Sequence, residues 1–311
     1  MTDKSLVEYT TDFLEYCELD LNLAVGTVNL YAYYLNEFTD WLLEQKKTEL
    51  KLNDLTSKTI RDYRIYLSRR IKPGKAPLAR STQNYFLIAI RAFLRYLTKK
   101  NISAMPADQI DLGKNRDRVV KFLDRQQLER LLVTPDVSTD LGVRDRTILE
   151  LFFSTGLRVS ELVKLNTDQI NLDRGEFGIV GKGGNARVVF LSQKATDWLT
   201  KYLMTRKNDG FKPLFVRTKG KINPSDSGEK MRLSKRSVER LVDKYVRLAK
   251  LPIHATVHTL RHSFATDLLI NGADMRSVQE MLGHKNIATT QIYTHVTNSQ
   301  LKEVFSKFHD K

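Results

Sequence analysis

One segment with glycine-divided apolar runs constrains the fold more than any other feature of this chain. QINLDRGEFGIVGKGGNARVVFL, residues 169–191, has short apolar runs separated by Asp-Arg-Gly and Gly-Lys-Gly-Gly-Asn. Short runs bounded by such turns predict strands joined as hairpins. We therefore expect a small antiparallel sheet with Lys182 on its second turn. Apolar residues elsewhere recur at helical spacing, so the chain is predicted to be mainly α-helical.

The first hundred residues predict a domain made only of helices. Thr27 is placed to cap one of them. Three apolar stripes recur there at helical spacing: Tyr31, Leu35, Phe38 and Leu42; Ile60, Tyr63 and Leu67; and Phe86, Ile90, Phe93, Leu94 and Leu97. We expect residues 1–106 to form a domain of about four helices.

A second domain is expected because 311 residues exceed the ~250–300 at which one core usually stops growing. Residues 107–121, ADQIDLGKNRDRVVK, lack sustained helical periodicity and are predicted to be a linker. A new helix follows with Asp124 as its N-cap, and residues 122–311 form the second domain. An amphipathic pattern predicts a short tail helix over residues 299–308.

The charge of the chain points to a polyanionic partner. The formal net charge is +15, but residues 1–50 carry three lysines against ten acids, whereas residues 51–100 carry thirteen Lys/Arg against two. Arg91, Arg95 and Lys99 recur every four residues opposite an apolar stripe. A solvated helix face is the simpler interpretation of such a stripe. The contrast in charge favours a surface that follows the phosphate backbone of DNA.

Basic side chains also gather at two helix starts in the second half. In HTLRHSFATDLL, residues 258–269, helical spacing puts His258, Arg261 and His262 on one side, with Thr256 placed to cap the helix. In STGLRVSEL, Gly156 is suited to the left-handed conformation that ends a helix. Arg158 then lies in the opening turn of the next helix, with Glu161 three residues later.

Metal and nucleotide chemistry are both weakly supported by these motifs. His254, His258 and His262 are spaced four apart, as in some helical zinc sites. No carboxylate lies among them, Arg261 would repel a cation, and His254 precedes the expected helix start. The Gly-Lys-Gly-Gly-Asn turn lacks the pattern of a nucleotide-binding loop. We expect neither a metal nor a cofactor. A simpler alternative for this segment is that its polar side chains only form hydrogen bonds or face solvent at a helix start.

Together these residue types fit chemistry on a phosphodiester. Arginine forms paired hydrogen bonds with phosphate oxygens, whose charge grows towards a pentacoordinate transition state. Tyrosine, with an ordinary pKa of about 10, is a poor nucleophile without a cationic pocket and a base. A leaving 5′-oxygen requires a proton, which a lysine can deliver.

Four segments in order resemble the tyrosine recombinase (integrase) family over roughly residues 122–311: TGLRVSEL, VGKGGNARVVFL, HTLRHSFATDLL and LGHKNIATTQIYTHV. His258 and Arg261 match the family's His-x-x-Arg, and His284 and Tyr293 have its nine-residue spacing. Val257 departs from the proline common before that histidine. The helical half resembles the family's SAM-like core-binding domain more loosely.

The resemblance implies a role for each matching residue. Tyr293 would attack the phosphorus and form a 3′-phosphotyrosine, while Arg158 and Arg261 hold the non-bridging oxygens. Lys182 would protonate the 5′-hydroxyl, and His258 would take the tyrosine proton or bind the phosphate. His284 would donate a further hydrogen bond to the phosphate. Glu161 and His262 would support the other residues of the site.

Within the family, the size and the ending THVTNSQLKEVFSKFH are most similar to Xer-type resolvases of chromosome dimers. A small integrase of a mobile element, a type IB topoisomerase and a non-catalytic DNA-binding regulator remain alternatives. The resemblance implies double-stranded DNA as substrate and a tetramer on two sites, joined through the tail helix. It leaves open whether a second recombinase or an activating protein is needed.

A cytoplasmic, nucleoid-associated protein is expected. The single cysteine, Cys17, permits no internal disulfide, and the start MTDKSLVEYTTD lacks the pattern of a signal peptide. No apolar run approaches the ~18 residues of a membrane span.

Overall fold

In the computed structural model the chain divides into two compact units, Met1–Asp117 and Arg118–Lys311. The structure describes residues 4–46, 50–70, 76–113, 121–181, 186–206, 209–218 and 227–283. The predicted fold class is confirmed, since both units are largely helical and the described strands form one antiparallel sheet in the second unit. Within these ranges, no helix combines the length and apolar content needed to cross a bilayer.

Four helices build the first unit: α1 Leu6–Leu19, α2 Val25–Lys46, α3 Ser57–Arg69 and α4 Arg80–Lys99. The three predicted stripes lie inside it, where only Tyr31 is partly rather than fully buried. Tyr63 of α3 is fully buried, with its ring centroid 4.7 Å from that of Phe38 on α2. The stripes therefore converge on one aromatic-rich core.

Two predictions for this unit were wrong. Thr27 does not cap α2, because the helix begins at Val25 and the Thr27 amide already donates to the carbonyl of Ala24 at 2.7 Å. The predicted linker begins too early, because Ala107 and Ile110 are buried in the core of the first unit. The Asn84 side chain also donates to the carbonyl of Gly113 at 2.7 Å. Two apolar residues are too few to show a periodicity, yet they suffice to dock this segment.

The second unit contains seven helices within the described ranges and a three-stranded sheet. Its elements are α5 Arg125–Val133, α6 Asp140–Thr155, α7 Val159–Leu162, β1 Ile170–Asn171, β2 Glu176–Val180, β3 Ala186–Phe190, α8 Gln193–Thr205, α9 Lys235–Leu248, α10 Val257–Ile270 and α11 Met275–Leu282. Both predicted caps are confirmed. Asp124 accepts from the Gln127 amide at 2.8 Å, and Thr256 accepts from the Thr259 amide at 3.4 Å.

The sheet has the antiparallel order β1-β2-β3, with Phe177 paired to Val189 and Gly178 to Val188. Phe177 and Val189 are buried in the core, whereas Val188 is about half exposed. One face of the sheet therefore covers the core and the other is open. The predicted turn at Lys182 joins β2 to β3 and lies outside the described residues.

Candidate active site

Gly156 turns the chain between α6 and α7 and sets the position of Arg158. It adopts the predicted left-handed conformation with φ of 60° and ends α6. A Cβ here would lie 2.5 Å from Cδ1 of Phe264, so both the backbone and the packing require glycine. Arg158 follows in extended conformation as the N-cap residue of α7. The close approach of α6 and α10 thus fixes where Arg158 begins.

Arg158 is held between a carboxylate and the end of another helix. Its Nη1 donates to Oε1 of Glu161 at 2.9 Å, and its Nη2 lies 3.4 Å from the carbonyl oxygen of Gly283. Glu161 also accepts from the Arg158 amide through Oε2 at 2.8 Å, so one carboxylate binds both the backbone and the side chain of Arg158. The Arg158 side chain is 29% exposed, so it remains open to a ligand.

Arg261 reaches the same place from α10 and is buried. Its Nη1 donates to the carbonyl of Gly156 and its Nη2 to that of Leu282, each at 2.5 Å. Leu282 and Gly283 are consecutive, so Arg158 and Arg261 both donate hydrogen bonds to carbonyls at the end of α11. Hydrogen bonds thereby bring together two guanidinium groups that are 103 positions apart in the sequence.

Two histidines of α10 have different environments. His258 is exposed, whereas His262 is half-buried. Burial, with added repulsion from His258 and Arg261, lowers the pKa of His262 to about 4. His262 is therefore neutral near pH 7, which suits a supporting hydrogen-bonding role rather than a charged one.

The apolar side chains of α10 at helical spacing are buried to different degrees. Leu260 is fully buried, but Phe264 and Leu268 are partly buried. The latter two line a small cleft together with Val188, Phe190 and Met281. The remaining core contacts of α10 come from Val257, Ala265 and Leu269.

His254 does not belong to the same helical face as the other two histidines. It precedes α10, which begins at Val257, and its Nε2 lies 3.7 Å from Oδ1 of Asp243 on α9. Among the described residues, no group of three or more His, Cys, Asp or Glu side chains could hold a metal ion. The geometry that a helical zinc site would need is therefore not formed by these residues.

Lys182, His284 and Tyr293 lie outside the described residues, as does the predicted tail helix at 299–308. The described chain ends at Gly283, which caps α11 in a left-handed conformation with φ of 64°. Gly283 immediately precedes His284 in the sequence, and its carbonyl lies beside Arg158.

Sequence reasoning missed Arg187, which β3 places at the same site. Its Nη1 and Nη2 each lie 3.1 Å from a different oxygen of Glu161, and its side chain is 11% exposed. Burial tends to raise the pKa of Glu161, but hydrogen bonds from Arg187 and the Arg158 amide outweigh it and lower that pKa. The one sequence signal for Arg187 was its place in VGKGGNARVVFL, a segment that resembles the family. Its partner Glu161 is 26 residues away, so no local pattern links the two.

The basic residues of α4 are not free of partners in the first unit. Arg91 and Arg95 both pair with Oδ1 of Asp108, at 3.1 and 3.3 Å, and Lys99 donates to the Tyr16 hydroxyl at 2.8 Å. Asp108 is 85% exposed, so these pairs are weakly held. The Arg95 side chain is exposed, whereas that of Arg91 is only 23% exposed and is therefore less open to a phosphate.

A second group of arginines lines a cleft between α3 and the start of α4. The cleft has a volume of about 440 Å³. Its polar lining includes Arg61 and Arg64 of α3, and Arg80, Gln83 and Asn84 of α4. Helical spacing puts Arg80 on the same side of α4 as Arg91, so the basic surface is longer than the stripe predicted from sequence.

Comparison with known proteins gives matches along both units. Residues 121–300 match the phage integrase family, and residues 10–101 match the phage integrase N-terminal SAM-like domain. Tyrosine recombinase XerD of Listeria innocua is 36% identical over 301 residues, covering 96% of this chain and 98% of the relative. Tyrosine recombinase XerC of Pelobacter propionicus is 36% identical over 308 residues, covering 98% and 96%.

Solved structures with the same fold include the XerH site-specific recombinase bound to palindromic difH substrate in a post-cleavage complex. It has a TM-score of 0.70 and 24% identity over 96% of this chain and 84% of that one. A lambda integrase tetramer bound to a Holliday junction has a TM-score of 0.66 and 18% identity, covering 91% and 78%. At these identities the likeness concerns the fold alone.

Proposed function

This chain belongs to the phage integrase family as a tyrosine recombinase most similar to the Xer proteins, and from that premise we propose a residue-level mechanism for its site-specific cleavage and rejoining of DNA. The hydroxyl oxygen of Tyr293 attacks the scissile phosphorus. The bond from phosphorus to the 5′-oxygen breaks, leaving a 3′-phosphotyrosyl bond and a free 5′-hydroxyl. Attack by the 5′-hydroxyl of a partner strand reverses this step and releases the tyrosine.

The convergence of Arg158 and Arg261 carries this proposal. Both guanidinium groups donate to neighbouring carbonyls at the end of α11, next to the segment that leads to Tyr293. Charge on the non-bridging oxygens increases as the phosphorus becomes pentacoordinate, and fixed donors stabilise that charge most. Arginine suits this role because its planar group can bind two oxygens at once. Two arginines held by the fold are therefore an oxyanion site for a phosphodiester.

Protons are assigned to the other polar residues. Lys182 protonates the departing 5′-oxygen, and His258, which is exposed on α10, accepts the proton of Tyr293 or binds the phosphate. His284 adds a phosphate hydrogen bond. The phosphotyrosyl bond conserves the energy of the broken phosphodiester, so rejoining consumes no nucleotide.

Glu161 and His262 support the site without contacting the reacting atoms. Glu161 orients Arg158 through both its side chain and its amide. His262, which is neutral near pH 7, lies one residue after Arg261 on α10 and keeps a polar group beside it without adding charge.

We propose that the first unit holds DNA through the basic surface of α3 and α4. Arg91, Arg95 and Lys99 belong to it, and the cleft at its other end adds Arg61, Arg64 and Arg80. Exchange of Asp108 for a phosphate costs little because Asp108 is largely exposed. Such contacts position the protein along the backbone and carry no sequence information themselves.

The tail helix at 299–308 is proposed to join protomers into a tetramer on two DNA sites. A cleft of about 200 Å³ supports this proposal, because Phe264, Leu268, Met281, Val188 and Phe190 give it an apolar lining suited to such a helix. Truncation after Thr297 should leave single-site binding nearly intact and impair pairing of two sites. Unimpaired pairing by the truncated protein would contradict exchange of this helix between protomers.

The cellular role is proposed to be resolution of chromosome or plasmid dimers at the nucleoid, since the relatives matched over nearly the full chain are Xer recombinases. Integration of a small mobile element is the alternative. Footprinting the full-length protein on DNA of its source genome distinguishes them. A single chromosomal site supports dimer resolution, whereas sites at both ends of an element support integration.

The chemistry is tested with a nicked duplex rebuilt from the footprinted sequence, in which cleavage traps the covalent product. Wild-type protein should give an adduct on a denaturing gel, and Tyr293→Phe should bind the duplex without forming one. An adduct that persists in the variant would remove Tyr293 from the mechanism. A plasmid with two direct copies of the site should yield recombinants, whereas relaxation without exchange would indicate a topoisomerase.

A further inference from the structure

Arg187 is the charged side chain at this site to which the proposed chemistry gives no task. It lies on β3, five residues after Lys182, and reaches across to α7. Its two terminal nitrogens bind the two oxygens of Glu161 in a paired, bidentate arrangement, each at 3.1 Å. Paired bonds of this kind hold a carboxylate in one orientation. Arg187 is therefore built into the site rather than solvated beside it.

The carboxylate of Glu161 is shared unequally between two arginines. Oε1 accepts from Nη1 of Arg158 and Nη1 of Arg187, while Oε2 accepts from the Arg158 amide and Nη2 of Arg187. Arg187 thus makes two side-chain bonds to the carboxylate and Arg158 only one. Arg158 is also the more exposed of the two, at 29% against 11%.

The charge balance of this group decides what a DNA phosphate would experience. Glu161 with Arg158 alone would be a neutral pair, and its field on a nearby phosphate would largely cancel. Adding Arg187 makes the group carry one net positive charge. Arg187 balances the charge of the carboxylate, so Arg158 keeps its positive charge. Nη2 of Arg158, which donates one N–H to the carbonyl of Gly283, has a second N–H for another acceptor.

Arg187 also touches the end of α11. A Cβ on Gly283 would lie 2.8 Å from Nη1 of Arg187, so the glycine backbone rests against the guanidinium. The same Gly283 offers its carbonyl to Arg158. Arg187 therefore contacts both partners that orient Arg158.

We propose that Arg187 is a positioning residue that neutralises Glu161 and thereby leaves Arg158 its charge for the scissile phosphate. The inference rests on the proposed function, because it assigns the phosphate to Arg158. Arg187 itself does not contact the reacting atoms. It acts through Glu161, so the cost of losing Arg187 to the cleavage rate should depend on the negative charge of that carboxylate.

The experiment measures single-turnover cleavage of the nicked duplex by full-length variants. Arg187→Met should cleave up to about 100-fold more slowly than wild type, with single-site affinity close to wild type. Arg187→Lys should cleave at a rate between the two. Removing the negative charge should then help, so Arg187→Met/Glu161→Gln should cleave faster than Arg187→Met alone. Arg174→Met, on the exposed turn before β2, is the matched control and should cleave at the wild-type rate.

Three results would overturn the inference. Wild-type cleavage by Arg187→Met would show that the residue is dispensable, and independent losses that multiply in the double variant would show that Glu161 does not transmit its effect. A fall in melting temperature for Arg187→Met that Glu161→Gln does not reverse, with the slow cleavage unchanged, would indicate a structural role only. Absence of any adduct with wild-type protein would instead reject the proposed function, and this inference with it.

Discussion

Arg261 donates a hydrogen bond at 2.5 Å to the backbone carbonyl of Gly156, which lies 105 residues earlier in the chain. The bond joins α10 to the end of α6, two residues before Arg158. Its second terminal nitrogen joins α10 to the end of α11. One buried guanidinium therefore fixes three chain segments that the proposed chemistry needs in register.

Arg261→Lys should slow single-turnover cleavage by about 100- to 1,000-fold, because one ammonium cannot replace a planar group that spans two acceptors. The rate of adduct formation on the nicked duplex measures this. Arg276→Lys, an exposed arginine on α11, should cleave normally. If Arg261→Lys cleaved as fast as that control, Arg261 would not stabilise the transition state.

Lys182→Ala should cleave slowly but recover on a duplex whose leaving group is a 5′-thiol, since a thiolate departs without a proton donor. The comparison is the ratio of cleavage rates on thiol and ordinary duplexes for the variant and the wild type. Arg261→Lys should show no such recovery. A Lys182→Ala variant that is equally slow on both duplexes would exclude Lys182 as the acid.

His262 should make folding stability dependent on pH between about 6.5 and 4. Its pKa is about 4 in the folded protein and near the ordinary value of 6.5 when unfolded, so the unfolded chain binds more protons in this window. The stability from neutral His262 is complete above pH 6.5 and is lost as the pH falls. Melting of wild type and His262→Gln across this range measures it, with the exposed His254→Gln as control. Parallel curves for wild type and His262→Gln would contradict the lowered pKa.

Gly283→Ala should destabilise the second unit by about 1–2 kcal/mol, because φ of 64° is unfavourable for alanine. Its Cβ would also press on Arg187 at 2.8 Å and displace the contacts of Arg158. We expect slower adduct formation even at temperatures where the variant remains folded. Gly272→Ala, also left-handed but with open space around the Cβ, is the control and should lose stability without losing cleavage rate. Equal cleavage rates for the two variants would mean that the crowding at Gly283 does not affect the site.

Arg95→Ala should weaken DNA binding and reduce the salt dependence of the binding constant by about one unit of slope, as expected for one phosphate contact. Asp108→Ala should strengthen binding, because it frees both arginines that Asp108 now holds. Lys4→Ala, paired with Asp12 on the acidic α1, should change neither quantity. Fluorescence titration at several salt concentrations measures the slopes, and weaker binding by Asp108→Ala would place the DNA elsewhere.

Features set by a few neighbouring residues were predictable from the sequence. The caps at Asp124 and Thr256 were predicted, as was the left-handed turn at Gly156. Each depends on hydrogen bonds or steric limits within about four residues, so the sequence pattern contains the whole cause. The apolar stripes of the first unit were predicted for the same reason, since helical spacing decides which side chains share a face.

The same local reasoning was wrong at two positions of the first unit. Thr27 could cap a helix, yet α2 begins two residues earlier. Ala107 and Ile110 show no periodicity, but the first core buries them and shortens the linker. For Ala107 and Ile110 the deciding free energy comes from contacts elsewhere in the first unit, which no pattern along the chain records. At the start of α2 the Thr27 and Val28 amides both donate to the carbonyl of Ala24, so a local alternative replaces the predicted cap.

The sequence by itself determined the family and the fold class, and it supplied the candidate residues for the proposed cleavage of a phosphodiester. These follow from residue types and spacing, which fix hydrogen-bonding and proton-transfer capacity wherever the chain goes. Tertiary structure alone decided that Arg261 is buried between two helix ends, that His262 is neutral, and that Arg187 shares Glu161 with Arg158. Burial and electrostatic partnership depend on distances in space, and folding brings Arg261 against residues 21 and 105 positions away and Arg187 against one 26 positions away.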